Sequence, residues 1–479
     1  MLNLFILFLI PFGAALVLFC AFSFSKRSQK CLAAFLSLIP LALLLYGNAS
    51  WIGSEINTPW FPAASVEFYL KIDQLSLVFL YLTAIVIPIS ILAMRSGTLA
   101  HANVFYGLIL LLQGLLIGFF TARDLVLFII FFEAILIPIY FIIVYWGGHG
   151  RQRAAMQFLV YMISGSVLMI AATLGIYVSE AAKTFNLDQL ANHTYAPWIC
   201  AVFLLAFAVK TPLFPFHAWL PDAYYEAPVS GTILLSAILS KAGIYGFLRI
   251  ALELFPNYMR EWSPLLLGLA IAGVFYGGLN AWAQNDYKRL LAFSSFSHVN
   301  FVLAGLFIWN QTAHAGAILQ AVNHGITIAA LFLVAGWLQE RLGTTSMGPA
   351  RGIAKYLPSL CWVTLFFVLA SVALPGMNNF VGELMIFFGL YGQKPWLTAF
   401  LGLSIIFSVI YMLRFMQKIY FEDPSLLQKH WEDLKAREFL IALPVMGLVL
   451  WIGLYPNPLL KQIVPAAEKT IELQQEDVK

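Results

Sequence analysis

A succession of about fourteen apolar runs constrains this chain more than anything else in it, each run close to the roughly 20 residues a helix needs to cross a bilayer. Ionisable residues sit near the middle of several of them. Glu133, Lys210, Lys241, His298 and His324 each fall close to the centre of a long run, and Glu383 lies near another centre, just past a helix break. An ionised group at mid-membrane costs a few kcal/mol or more, so such residues face the protein interior or a polar path. Several at similar depth point to a proton route.

The runs are 2–22, 31–50, 73–94, 102–121, 124–146, 156–180, 198–224, 228–252, 264–284, 289–308, 313–338, 357–393, 396–420 and 438–456. Only 10% of the 479 residues are charged, against about 25% in a soluble domain. The reading is an all-α polytopic membrane protein surrounded by the lipid bilayer, with no nucleic acid. The four cysteines, Cys20, Cys31, Cys200 and Cys361, are scattered. Without a CxxC pair they suggest neither a metal site nor a disulfide framework, and they read as buried thiols.

Lys26, Arg27 and Lys30 follow the first run, and no basic residue precedes it. A cleaved signal peptide has the reverse order. The first helix is therefore expected to be retained with its N-terminus outside. Alternate loops then hold about fifteen basic residues inside and about eight outside, which agrees with the positive-inside rule. The inner set includes Arg95, Arg151, Arg153, Lys288, Arg289, Arg341, Arg351, Lys418, Lys429, Lys435 and Arg437; the outer set includes Lys71, Arg123, Arg260, Lys461 and Lys479. Both termini are expected to be periplasmic. The charged inner loop near 421–437 is a candidate docking surface.

Two runs are too long for one straight crossing and contain prolines. In Val209-Lys210-Thr211-Pro212-Leu213-Phe214-Pro215-Phe216-His217 a lysine stands beside Pro212 and Pro215; in Leu374-Pro375-Gly376-Met377-Asn378-Asn379 the break at Pro375 and Gly376 precedes Glu383. Proline removes a backbone donor and clashes with the preceding turn. Such breaks are tolerated in a membrane where they are buried in protein or line a cavity. Interrupted helices at matching places in two halves mark transport sites. Spans four to eight and nine to thirteen each hold one broken helix as the fourth member, and an odd count makes consecutive units opposite in topology. The division expected is 1–101, three N-terminal helices; 102–255, the first inverted five-helix repeat; 256–421, the second; and 422–479, an inner loop, helix fourteen and a tail.

A lysine taken out of water holds its proton less tightly, and a carboxyl more tightly, unless the two pair. A Glu133–Lys210 pair is thus a switch, because separating the partners pushes both toward neutrality. The alternative is a static ion pair fixing helix packing. Lys241 is a second proton carrier. His298 and His324, on neighbouring spans, suit a relay; a helix-to-helix hydrogen bond and axial haem ligation are the other readings. Glu383 is the terminal acid. Tyr276, Asn280, Asn323 and Ser240 are candidates for holding water along the row. Asp222 and Glu226 are expected to meet inner water, His149 to lie in an inner loop, and Gly273-x-x-x-Gly277 to permit close helix contact. The chain has no GxxxxGK[ST] or GxGxxG fingerprint, so the energy for pumping must come from a partner or from an ion gradient.

The stretch Lys210-Thr211-Pro212 through Phe216-His217-Ala218-Trp219-Leu220-Pro221-Asp222-Ala223, with Ala227-Pro228 after it, resembles the signature of the antiporter-like subunits of respiratory complex I. The likeness runs over almost the whole chain. It is strongest to the M-type branch (the mitochondrial subunit 4 equivalent), in which the twelfth helix carries glutamate, here Glu383, where the L- and N-type and Mrp-type relatives carry lysine. The sequence also stops soon after span fourteen, without the lateral helix of the L type. The resemblance implies fourteen helices in two inverted repeats. It implies proton transfer through Glu133, Lys210, Lys241, His298, His324 and Glu383, and no redox centre in this chain. NADH, FMN, iron–sulfur clusters and quinone are expected in partner subunits, with homologous antiporter-like subunits as neighbours. The bacterial cell membrane is the expected location rather than the mitochondrial inner membrane. An Mrp-type sodium/proton antiporter subunit, a passive scaffold and a haem carrier are the competing readings.

Overall fold

The computed structural model describes residues 2–95, 97, 99–179, 183–191, 193–348, 352–423 and 431–476. Arg351, Lys429 and Lys479, counted in the charge bias, lie outside them. Hydrocarbon offers a backbone no hydrogen-bond partner, so a crossing segment must satisfy its own peptide groups as a helix. Twelve helices among the described residues are long and apolar enough to cross. In order, α1 (Leu2–Cys20) and α2 (Lys26–Gly47) lead to a hairpin of β1 (Glu55–Phe61) and β2 (Val66–Lys71), then to α3 (Gln74–Ala93), α4 (Ala102–Thr121), α5 (Leu125–Trp146) and α6 (Arg151–Ser179). The first broken crossing is α7 (Pro197–Lys210) with α8 (Trp219–Glu226), followed by α9 (Val229–Leu254), α10 (Pro256–Ala283), α11 (Tyr287–Leu306) and α12 (Gln311–Leu342). The second is α13 (Pro358–Ser371) with α14 (Asn378–Tyr391), followed by α15 (Pro395–Phe421), α16 (Ala436–Leu454) and α17 (Asn457–Glu476). The broken crossings complete the set expected from the sequence.

The helix α9 is interrupted by two π-helical stretches, Leu235–Leu239 and Phe247–Ala251, on either side of Lys241. Wide turns of this kind gather at functional sites. The central stretches of α9 and α12 are wholly buried, whereas little of α2 and α15 is. The core is therefore built around the helices that carry Lys241 and His324.

The two long runs break by the same backbone scheme. In the first, Thr211 N–H donates to the Phe207 carbonyl, Leu213 to Ala208 and Phe216 to Leu213; in the second, Val372 donates to Val368, Leu374 to Leu369 and Met377 to Leu374. Both pass through a positive φ, at Pro212 and at Ala373 (55°), and Gly376 at 90° uses the region glycine tolerates best. A second correspondence lies at opposite faces. Asp124 caps α5 by accepting from the Val126 and Leu127 N–H groups, and Asp286 caps α11 by accepting from Lys288 and Arg289. Beside the first cap, Leu125 bonds Phe185 and Leu187 bonds Arg123; beside the second, Tyr287 bonds Thr345 and Met347 bonds Asn285.

Some features differ from the sequence reading. The β1–β2 hairpin and α17 replace what read as loop and tail. Cys20 and Cys31 are exposed on the outer helices, and only Cys200 and Cys361 are buried. Gly273 and Gly277 do admit close contact, against Asn300 and against Phe296 and Ser297 of α11.

One face of the molecule, where the hairpin lies, carries a buried ion cluster. Arg249 grips Asp73 through two nitrogens (2.7 and 2.8 Å) and reaches Glu253 at 2.9 Å; Arg123 bonds Glu253 at 3.3 Å and pairs with Asp188. Burial favours a neutral Asp73 carboxyl, but Arg249 and then Arg123 outweigh it and hold the group well below the usual carboxylate range. The contribution of Asp73 is therefore fully present above its unfolded value of about 4 and is lost as pH falls through the folded value. Arg249→Met strands Asp73 and Glu253 without this cation. We expect a cost of about 3–5 kcal/mol, seen as a lower unfolding temperature of the purified complex at neutral pH, with a deficit that narrows in acid.

Candidate proton-transfer site

Lys210 is the last residue of α7, where the helix carbonyls end and a cation is favoured. Its Nζ donates to Glu133 Oε1 at 3.0 Å and to Ser166 Oγ at 2.8 Å, and it rests 4.1 Å from the centre of the Phe132 ring. Ser166 Oγ also donates to the same Glu133 oxygen. Lys210 is buried, while the Glu133 side chain remains 31% exposed. The pair thus opens onto the flank of the chain between α5 and α6.

The other four groups form a second cluster. Lys241 Nζ lies 2.8 Å from His324 Nδ1 and donates to the Ser236 carbonyl at 2.5 Å. The His324 and His298 rings stack with centroids 5.4 Å apart. His298 Nδ1 is 3.4 Å from Glu383 Oε1, which also accepts from Gln320 Nε2 at 3.0 Å. Lys241, His298, His324 and Glu383 are all buried. Among the described residues no hydrogen bond joins Lys210 to Lys241. The Thr211 hydroxyl lies against Gly243 of α9 with no hydrogen-bond partner among the described residues. An axial haem pair would present ring edges to an iron from opposite sides of a porphyrin, and stacked rings at 5.4 Å leave no room for one. No cluster of three or more His, Cys, Asp or Glu side chains able to hold a metal occurs among the described residues.

Asparagines close the breaks. Asn300 of α11 donates to the Pro212 carbonyl (3.2 Å) and accepts from Phe214 N–H (3.4 Å). Asn323 of α12 donates to the Asn378 carbonyl (2.7 Å), while Asn378 donates back to the Asn323 carbonyl (3.0 Å) and accepts from Thr327. The sequence reading missed Asn300 and Asn378; Asn323, read there as a candidate water holder, spends its amide nitrogen on the second break, while its Oδ1 is buried with no hydrogen-bond partner among the described residues. Ser240 stands beside the row, accepting from Lys241 at 3.2 Å. Tyr276 and Asn280 do not line it: Tyr276 is exposed beside His217, and the Asn280 amide donates to its own helix. Asp222 pairs with Arg289 at 2.9 Å, and Glu226 accepts from Gly150 N–H.

An all-helical frame, two breaks at membrane depth and a buried row of lysine, histidine and glutamate define an ion-translocating membrane subunit of the antiporter type. Residues 122–410 match the family model described as NADH:quinone oxidoreductase/Mrp antiporter, transmembrane. The chain is 35% identical to NADH-quinone oxidoreductase subunit M of Escherichia coli K12 over 425 residues, 85% of this chain and 83% of that protein. It is 34% identical to subunit M of Pseudomonas aeruginosa, with 95% and 94% covered. Its fold superposes on a chain of respiratory complex I from Thermus thermophilus with a TM-score of 0.90 at 34% identity, covering 98% of this chain and 99% of that one. A chain of the Mrp complex from Dietzia shares the fold at 23% identity (TM-score 0.85), and the match spans 97% of this chain and 52% of that one. The chain belongs to the NADH-quinone oxidoreductase subunit M family.

Gly243 lets α9 meet the first break. A Cβ there would stand 2.1 Å from Thr211 Oγ1 and 2.8 Å from the Thr211 backbone nitrogen. Gly243→Ala is expected to cost about 1–3 kcal/mol by overpacking and to lower the yield of assembled complex. Gly268→Ala, with nothing within 4 Å of its new methyl, should leave the yield unchanged.

Proposed function

We propose that this chain, a membrane subunit of NADH-quinone oxidoreductase, carries protons along Glu133, Lys210, Lys241, His324, His298 and Glu383. The observation that carries the reading is the row of close contacts from Lys241 through the stacked histidines to Glu383, all of it buried. Lys210 holds its proton while Glu133 stays beside it as a carboxylate. Drawing Glu133 away leaves a buried ammonium uncompensated, and the proton leaves toward Lys241. Lys241 then donates to His324 Nδ1. Stacked ring faces do not hydrogen-bond each other, so transfer between the histidines passes through water. His298 Nδ1 hands the proton to Glu383.

Supporting the division into two inverted units is the shared break scheme, together with the paired Asp124 and Asp286 caps at opposite faces. The charge bias supports an inner position for the face with Arg341 and Lys435 and periplasmic termini, and the bacterial relatives support a bacterial cell membrane. Glu133 opens onto a flank where a homologous antiporter-like subunit would sit and deliver the signal. NADH oxidation and quinone reduction, with their FMN and iron–sulfur clusters, belong to partner subunits.

Lys210→Ala or Glu133→Ala in an assembled complex is expected to lower coupled quinone reductase activity at least tenfold, a barrier change of about 1.4 kcal/mol or more. The measurement is NADH-driven acidification of inverted membrane vesicles. Normal pumping in either variant would remove that residue from the mechanism. Co-purification with peripheral redox subunits separates this reading from an Mrp-type antiporter.

A further inference from the structure

We propose that this subunit holds an anionic phospholipid in a furrow remote from the proton row. The furrow runs between α2, α3, α12, α16 and α17, has a volume of about 630 Å³, and is lined by side chains such as Leu41, Val78, Ile85, Val445 and Leu448. On α3 it extends from Val78 to Leu92 and on α16 from Leu440 to Ile452, which at 1.5 Å per residue is roughly 20 Å, the reach of an acyl chain. At the face where α3 and α12 end and α16 begins, the furrow meets a polar pocket of about 320 Å³, and Ile441 lines both.

That pocket has the chemistry of a phosphate site. Arg95, Arg341, Lys435 and Arg437 line it, along with Glu340, Glu432 and Glu438. Arg341 is engaged by Glu438 and Lys435 by Glu432. Arg437 donates from Nη2 to the Leu92 carbonyl at 3.1 Å, which leaves most of its guanidinium fork for phosphate oxygens. Trp431 adds an indole N–H that is buried with no acceptor among the described residues. Behind the pocket, the Lys30 ammonium bonds the same Leu92 carbonyl at 2.9 Å. Cations therefore outnumber carboxylates at headgroup depth, next to an apolar groove. Basic pockets between membrane helices on the inner side select anionic head groups.

The test places a photoreactive benzoylphenylalanine at Val445 in the whole complex. The complex is reconstituted in nanodiscs of phosphatidylcholine, with or without cardiolipin. On illumination we expect the dominant adduct to be cardiolipin, with phosphatidylcholine captured only when cardiolipin is absent. Arg437→Gln should lower the cardiolipin adduct about fivefold, the effect of one basic residue at the surface. Arg95→Gln should do the same where the Arg437 variant assembles poorly. An adduct with a neighbouring subunit, or capture indifferent to head-group charge in both variants, would overturn the proposal.

Discussion

Hydrocarbon has no water with which to satisfy a freed peptide group or a bare charge, and the rest of this structure follows from that lack. Breaking a helix at membrane depth orphans carbonyls and N–H groups. Here each break is repaired by asparagine amides from a packed helix: Asn300 at the first, and the reciprocal Asn323–Asn378 clamp at the second. In return, each break creates a helix end in the oil. Lys210 stands at a carbonyl end, where a cation is welcome, and Glu383 stands in the second turn after an N–H end. The ions are tolerable at that depth because the backbone has been interrupted beside them.

Packing then decides how close the ions come. Gly243 lets Thr211 approach α9, and Gly382 lies against Gln320, the residue that donates to Glu383. The buried central stretches of α9 and α12 carry Lys241 and His324 into one another's reach, and π-helical stretches flank Lys241. A side-chain row of this kind needs close backbone contact, and that explains why small residues recur where the helices carrying it meet.

Much of this was legible in the sequence because charge in an apolar run is rare and proline beside it rarer still. Glu133, Lys210, Lys241, His298, His324 and Glu383 announced themselves in that way, and so did both breaks. The asparagines did not, since an uncharged amide in a helix carries little cost and no periodic signal until its partner is known. Tyr276 and Asn280 misled for the same reason: depth along a helix can be counted from a sequence, but which side faces inward in a chain this uniformly apolar cannot. Arg249 sits in a run with Glu253 one turn on, yet its partner Asp73 is far away in sequence. The hairpin 55–71 was hidden by the short, irregular alternation of β1, which is mostly exposed.

One helix, α12, bonds to both halves of the molecule. His324 meets Lys241 of α9, Gln320 meets Glu383, and Asn323 with Thr327 holds the second break. These four residues lie within little more than two turns of a single rod. A rod cannot twist at one rung and stay still at the next, so a tilt that loosens the lysine contact must also disturb the glutamate. On the proposed route, uptake and discharge are in this sense geared to one shaft.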